Sequence, residues 1–285
     1  MATIIDGKEL SLKIKDEIKR KVGLFNEKTG RVISLAVIMV GNNPASAVYV
    51  NNKIKAAEYV GMKSLSFHLP ETATFTDVKN LIDGLSNDNT VDGILVQLPL
   101  PKHLDEEKVL SLIPVNKDVD GFLPENVGNL LLGHDCTVSC TPAGVMEMLK
   151  STGENLSGKN AVVIGRSNIV GKPMALLLLK ENCTVTVCHS KSKNIKNVCK
   201  KADIIVVAIG KAGFLTADMV KKGAIVVDVG ISKVDGKIKG DVDFDKVSKK
   251  ASFITPVPGG VGPMTIAMLL SNTYHCAVRR ENLDV

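Results

Sequence analysis

The apolar positions of the chain change rhythm repeatedly. Arg31 to Val40 is rich in β-branched residues, Lys63 to Leu69 alternates apolar with polar, and Gly93 to Leu98 is a short apolar run. Each reads as a strand. Between them, Ala45–Val60, Phe75–Leu85 and Asp105–Ile113 carry helical spacing. Strand and helix taking turns predicts parallel α/β layering.

A second unit begins at Thr141. Thr141-Pro142 reads as an N-cap and first helical residue, and Gly153 closes that helix. There follow a strand at Ala161–Ile164, a helix at Val170–Glu181 and a strand at Thr184–Cys188. A helix near Ile195–Lys201, a strand at Ile204–Ala208, a short helix near Ala217 and a strand at Ala224–Val229 come next. A strand at Phe253–Thr255, a Gly/Pro loop and a last helix from about Met264 complete the series. A βαβαβ succession of this kind predicts a Rossmann-like, doubly wound parallel sheet. The expected class is therefore α/β with two α/β domains, the second Rossmann-like, and a ligand cleft between them. Residues 1–140 form the first domain, joined by a C-terminal helix at about 264–285; residues 141–263 form the second.

Composition narrows the classes. With 285 residues, 45% apolar and 23% charged, the chain can bury a sizeable core, and without Trp that core rests on Val, Ile, Leu, Ala and Met. The net charge of +6 suits anionic ligands, but Lys and Arg are interleaved with Asp and Glu through most of the chain, and no long basic block stands out. Aromatics at 4% leave little to stack on bases, so no nucleic-acid partner is expected. The N-terminus lacks a secretory layout, and runs such as Ile204 to Ile209 fall short of the ~20 residues a bilayer span needs. No membrane partner is expected. Six cysteines without a CxxC or paired Cys/His spacing predict neither a metal site nor a disulfide framework, and suit a reducing cytoplasm.

Two segments carry candidate chemistry. The strand ending at Ile164 runs into Gly165-Arg166-Ser167-Asn168-Ile169-Val170-Gly171, which opens a helix. Glycine permits a tight turn there, and a helix N-terminus offers N–H groups to a pyrophosphate. The pattern departs from a regular G-x-G-x-x-G, with Ser167 at the second glycine position and the last glycine one residue late. NAD-binding units place an acid after the next strand. Here Cys188-His189-Ser190-Lys191 has no carboxylate, and Arg166, Ser190 and Lys191 suit a 2′-phosphate instead, which favours NADP. The second segment is a helix capped by Asn43-Pro44 and stopped by Gly61. Ala45, Tyr49, Ala56, Ala57 and Val60 share one arc of it, with Lys53 inside and Asn51, Lys55 and Glu58 opposite. A lysine among apolar neighbours holds its ammonium at a desolvation cost.

Tyr49-x-x-x-Lys53, Gln97-Leu98-Pro99-Leu100-Pro101, Lys117-Asp118-Val119-Asp120-Gly121, Gly165-Arg166-Ser167 with Val170-Gly171, and Pro258-Gly259-Gly260-Val261-Gly262-Pro263-Met264-Thr265 occur in that order. Together they resemble the bifunctional methylenetetrahydrofolate dehydrogenase/methenyltetrahydrofolate cyclohydrolase family of the short two-domain type, over essentially the whole chain. The resemblance implies that Lys53 is the catalytic lysine, Tyr49 the ring that packs on folate, Gln97 the residue that bonds and tunes the lysine, and Asp120 the carboxylate that holds the pterin. It implies that Ser46 lies near the lysine and that Pro258, Gly259 and Gly260 lie beside folate and nicotinamide. Gly165, Arg166, Ser167, Val170, Gly171, Ser190 and Ile231 would bind NADP, and Cys140 would sit at the domain junction without chemistry. The family further implies tetrahydrofolate one-carbon substrates, a homodimer and a role in purine biosynthesis. An NADP-dependent dehydrogenase of another small substrate, without hydrolase activity, is the competing expectation.

Overall fold

A computed structural model describes residues 1–283, the side chain of Ala45 excepted. The place of Ala45 on the lysine-bearing arc, and the last two residues of the 264–285 segment, thus lie outside the described residues. In chain order the first half holds β1 (Thr3–Ile4), α1 (Gly7–Thr29), β2 (Ser34–Val40), α2 (Pro44–Tyr59) and β3 (Lys63–Leu69). It continues with α3 (Phe75–Asn87), β4 (Gly93–Val96), α4 (Glu106–Leu110), a 3-10 turn at Val115–Lys117 and α5 (Pro124–Leu132). The second half holds α6 (Cys140–Lys150), β5 (Asn160–Ile164), α7 (Gly171–Lys180), β6 (Thr184–Cys188), α8 (Ile195–Cys199) and β7 (Ile204–Val207). After a 3-10 turn at Ala217–Met219 come β8 (Ile225–Asp228), β9 (Ser232–Val234), β10 (Lys237–Lys239), α9 (Phe244–Val247), β11 (Phe253–Ile254) and α10 (Val261–Arg280).

The chain forms two compact units. One comprises Met1–Ser11, Leu130–His134 and Ser139–Thr265; the other comprises Leu12–Asn129, Asp135–Val138 and the chain from Ile266 onward. The first eleven residues thus lie with Ser139–Thr265 and not with the chain that follows them. The reason lies in β1, which pairs in parallel with β11 through Thr3↔Phe253 and Ile4↔Ile254, while Ala2 is buried in the same core as Val226 and Ile254.

The first unit is built on a six-stranded sheet, ordered β1-β11-β8-β7-β5-β6 and parallel throughout. Its central strands, Ile204–Val207 and Ile225–Asp228, are buried at every position, as expected where helices cover both faces. β5 has its sequence successor β6 on one side and β7 on the other, so the strand order reverses there. In doubly wound sheets that reversal opens a crevice at the carboxyl ends of the strands.

The other unit centres on three parallel strands ordered β3-β2-β4, with Leu35 paired to Ser64 on one side and Gly93 on the other. Helix α1 buries Ile18, Val22 and Phe25 against Ala57 and Val60 of α2 and Leu270, Tyr274 and Ala277 of α10. A Cβ on Gly93 would run into Val119, so the glycine at the start of β4 lets the segment after the Val115–Lys117 turn lie against the sheet. That segment bridges β4 in parallel through Ile94 and Asp118.

Several expected boundaries move. The helix expected to start at Pro142 with Thr141 as its cap starts two residues earlier, at Cys140, with Ser139 in the cap position, and the last helix starts at Val261 rather than Met264. Helices α1, α5 and α9, strand β1 and the β9–β10 hairpin lie outside the elements that the sequence pattern predicts.

Candidate active site

The lysine site is assembled where parallel strands end. β2 stops at Val40, Gly41 takes a φ of 80° that turns the chain at once, and the Asn43 side chain caps α2 by accepting from the Ser46 amide at 3.2 Å. The cap read from the sequence is thus present, and so is the stop, since Gly61 has a φ of 82°. Along α2, Ser46, Ala56, Ala57 and Val60 are buried, Lys53 is half-buried, and Asn51, Lys55 and Glu58 are exposed. Tyr49 lies one turn before Lys53 and keeps 38% of its surface exposed, a ring only partly covered by its own unit. Partial burial pushes its phenol above the ordinary value.

Lys53 and Gln97, distant in sequence, meet. Lys53 Nζ donates to Gln97 Oε1 at 2.9 Å, and Gln97 Nε2 donates to the Leu98 carbonyl at 2.6 Å. The second bond fixes the first: a carbonyl accepts only from the amide nitrogen, so the amide oxygen must face the lysine. Gln97 itself follows β4, its backbone N–H donating to the Ile38 carbonyl at 2.8 Å.

The Lys117–Gly121 motif holds two buried supports, Lys117 and Asp118, and a half-buried carboxylate, Asp120. Lys117 is buried and donates to the Leu85, Ser86 and Asp88 carbonyls at 2.9, 2.8 and 2.7 Å, closing the C-terminus of α3, and burial lowers its pKa. Asp118 is buried and accepts from the Gly121 and Leu123 amides and from Asn126 Nδ2; burial raises its pKa against the pull of those bonds. Asp120 is half-buried and follows a stretch running parallel to β4, so it leaves the sheet at the same end as Gln97.

The nucleotide candidates gather at the reversal of the six-stranded sheet. Gly165 has a φ of 131°, and a Cβ there would strike the Ala208 carbonyl oxygen; a Cβ on Gly171 would strike that of Gly165. Chain meets chain at both positions, which leaves glycine as the residue that fits. The helix donors are not all available, however. Ser167 Oγ accepts from the Val170 and Gly171 amides at 3.2 and 3.3 Å, so the serine occupies part of what the sequence offered to a pyrophosphate. Arg166 is exposed, and so are Ser190 and Lys191. They leave adjacent strands, since Ile164 pairs with Cys188 and the Gly165 amide donates to the Cys188 carbonyl at 2.9 Å. In the same unit, Pro258 is exposed and Gly260 buried, and Gly259 has a φ of 103°. The start of α1 supports this loop: the Lys8 amide donates to Gly259 O at 3.2 Å, and a Cβ on Gly7 would strike Gly260 O.

Sequence reasoning missed a buried carboxylate pair beside these loops. Asp228 accepts from the amides of Gly230, Asp241 and Val242 at 3.0, 2.9 and 2.9 Å. Asp241 accepts from those of Ile209, Gly210 and Lys211 at 2.8, 3.0 and 2.6 Å. Burial, followed by the neighbouring Asp241 carboxylate, pushes Asp228 from 3.8 up to about 6. The fold therefore holds the Asp228 proton more tightly than the unfolded chain does. Its contribution to stability is full below the unfolded value and is lost as pH rises through the folded one. Relative to Asp228→Asn, the wild type should lose about 1.4 kcal/mol per pH unit across roughly pH 4 to 6 in urea unfolding. A difference that stays flat with pH would contradict this titration.

Among the described residues, no group of three or more His, Cys, Asp or Glu side chains could hold a metal ion, and no helix is long and apolar enough to cross a membrane.

A glycine turn at the reversal of a doubly wound sheet, and a lysine held by an amide in a second α/β unit, define a two-unit, dinucleotide-dependent class of enzyme. Comparison with known proteins makes this specific. Residues 5–120 match the family model for the tetrahydrofolate dehydrogenase/cyclohydrolase catalytic domain, and residues 139–281 match that for the NAD(P)-binding domain of the same family. The chain belongs to the tetrahydrofolate dehydrogenase/cyclohydrolase family. It is 58% identical to the bifunctional protein FolD of Agathobacter rectalis over 280 residues, 98% of this chain and all of that one. The crystal structure of the bifunctional methylenetetrahydrofolate dehydrogenase/cyclohydrolase from Campylobacter jejuni superimposes with a TM-score of 0.95 at 54% identity, covering 98% of this chain and 100% of the other. That of the Trypanosoma brucei dehydrogenase-cyclohydrolase, complexed with NADP cofactor and inhibitor, gives 0.95 at 39% identity, covering 99% of each.

Proposed function

We propose that this enzyme oxidises 5,10-methylenetetrahydrofolate to 5,10-methenyltetrahydrofolate with NADP⁺ and hydrolyses the product to 10-formyltetrahydrofolate. The observation that carries the reading is the amide-oriented bond from Lys53 to Gln97, found in a chain that matches both domains of the family. NADP⁺, when bound, accepts the hydride from the bridging carbon. The glycine cradle at Gly165 and Gly171 fits such a cofactor, with Arg166 and Ser190 to hold its 2′-phosphate and Ser167, Val170 and Ile231 to line its path.

The remaining work falls to side chains. Tyr49 packs on the folate, Asp120 accepts from the adjacent N–H groups of the pterin edge, and Ser46 backs the helix from within. Pro258, Gly259 and Gly260 bring bare backbone to the flat rings. Hydrolysis adds water to the cationic methenyl carbon, removes both of that water's protons as the formyl C=O forms, delivers one proton to the ring nitrogen as its bond to carbon opens, and releases the other to solvent. Lys53 is the acid/base for those transfers, and Gln97 holds its amine in place. The alternative, a dehydrogenase for another small substrate, gives no reason for this amine.

One assay tests the reading: methylenetetrahydrofolate with NADP⁺ or NAD⁺, followed at the reduced-nicotinamide absorbance, with methenyltetrahydrofolate hydrolysis measured separately. Both activities are expected, with NADP⁺ preferred. Failure of folate-dependent reduction would reject the reading. Arg166→Ala should narrow the preference for NADP⁺ over NAD⁺ by about 10- to 100-fold, as fits the loss of a charged hydrogen-bonding group.

The same reading extends to a homodimer in a reducing cytoplasm, supplying 10-formyl groups for purine biosynthesis. The dimer is supported by the outer strand β6, where Val187 is exposed, and by the exposed Leu179 of α7. Sedimentation equilibrium at twice the chain mass is the expected result.

A further inference from the structure

The chemistry above leaves Asp228 and Asp241 without a task, yet they are 3% and 0% exposed. The two are interlocked, because Asp228 accepts from the backbone amide of Asp241 itself. The chain makes room for each carboxylate with a glycine: a Cβ on Gly230 would strike Asp241, and one on Gly240 would strike Asp228. What they hold is specific. Asp241 fixes Ile209–Lys211, which leave the carboxyl end of β7, and Asp228 fixes Gly230 just past the end of β8. Ser232 Oγ then ties the two segments together by donating to the Gly210 carbonyl at 3.0 Å. The residue just before Ile209 is Ala208, whose carbonyl forbids a side chain at Gly165. Ile231, 48% exposed, stands between the braced Gly230 and the tied Ser232.

We propose that Asp228 and Asp241 are positioning residues for the nicotinamide cofactor, a buried carboxylate brace that forms the 209–211 and 229–232 segments before the cofactor arrives. The proposal rests on the reading of this unit as the NADP site. Each carboxylate gathers three peptide N–H groups that would otherwise point at a strand end with no partner in the sheet. Without the brace those segments sample other conformations. A ligand that binds only the formed state then sees an apparent dissociation constant raised in proportion to the fraction lost.

Asp241→Asn is the test. An amide has one acceptor oxygen where the carboxylate has two, so at least one of the three backbone N–H groups faces a donor. The dissociation constant and KM for NADP⁺ should rise about tenfold, the shift expected if the formed state drops to a tenth of the population. Dehydrogenase kcat at saturating NADP⁺, and methenyltetrahydrofolate hydrolysis without nicotinamide, should stay near wild type. Ser232→Ala, which removes only the tie to Gly210, should raise KM for NADP⁺ by a smaller factor. Unchanged NADP⁺ affinity in folded Asp241→Asn overturns the proposal, and so does a matched fall in both activities, which marks a general fold defect. If Asp241→Asn does not fold, Ser232→Ala decides by the same criterion. Wild-type NADP⁺ binding is measured first, so that its absence strikes the cofactor reading and not the brace.

Discussion

Lys53→Met lowers methenyltetrahydrofolate hydrolysis by about 10²- to 10⁴-fold, the usual range for losing a positioned acid/base, and leaves NADP⁺ affinity near wild type. Methionine keeps most of the length and packing of the lysine stem on α2 and removes the amine alone. Gln97 stays oriented because its Nε2 bond to the Leu98 carbonyl does not involve the lysine. The nucleotide candidates belong to the six-stranded unit, whereas Lys53 belongs to the three-stranded one, so their local folds do not share this side chain. Loss of methenyl absorbance gives the hydrolysis rate, and NADPH fluorescence titration gives the affinity. Hydrolysis at the wild-type rate in the variant would remove Lys53 from the chemistry.

Gly165→Ala should produce the opposite pattern. The residue combines a φ of 131°, which L side chains rarely adopt, with a Cβ position already filled by the Ala208 carbonyl oxygen. The turn must open to admit a methyl group, which displaces Arg166 and Ser167 from the places the glycine gives them. Backbone conformations of this kind cost about 1–3 kcal/mol, so NADP⁺ affinity and dehydrogenase kcat/KM should fall about 10- to 100-fold. Hydrolysis of methenyltetrahydrofolate, assayed without nicotinamide, should persist. Loss of both activities together in a folded variant would contradict the assignment of Gly165 to cofactor binding.

The two variants bear on what could be read before the structure. Strands such as Lys63–Leu69 and Thr184–Cys188 were legible to the residue, because alternation or a run of β-branched residues is local information. Helix α1 was not. Its stripe of Ile14, Ile18, Val22 and Phe25 has helical spacing but is diluted among Lys and Glu, so the segment reads as solvated charge until α2 and α10 cover it. The hairpin turns at Asp235-Gly236, both at positive φ, but flanking strands of three residues each are too short to show an alternating run. In the site, Lys53, Gln97 and Asp120 stood out through motif resemblance, and the Lys53–Gln97 bond then supplied a physical reason for two of them. The separate duties of Lys117 and Asp118 could not be seen in two consecutive letters. They depend on which carbonyls and amides fold back to meet each side chain. Asp228 and Asp241 were hidden for the same reason: an aspartate after Ile-Val-Val reads as the end of a strand, and its partners are amides that only the fold brings near.

The parallel pairing of Thr3 and Ile4 with Phe253 and Ile254 sets an order of events during synthesis. Thr3 and Ile4 find their strand partner only at Phe253 and Ile254, so until β11 has been made β1 has no place to dock, and β8, made shortly before β11, lacks its outer neighbour. Closure over so long a loop is slow and entropically costly. A chain halted before residue 253 should therefore keep an unfinished sheet edge and collect as aggregate or protease substrate, however well its central strands have formed.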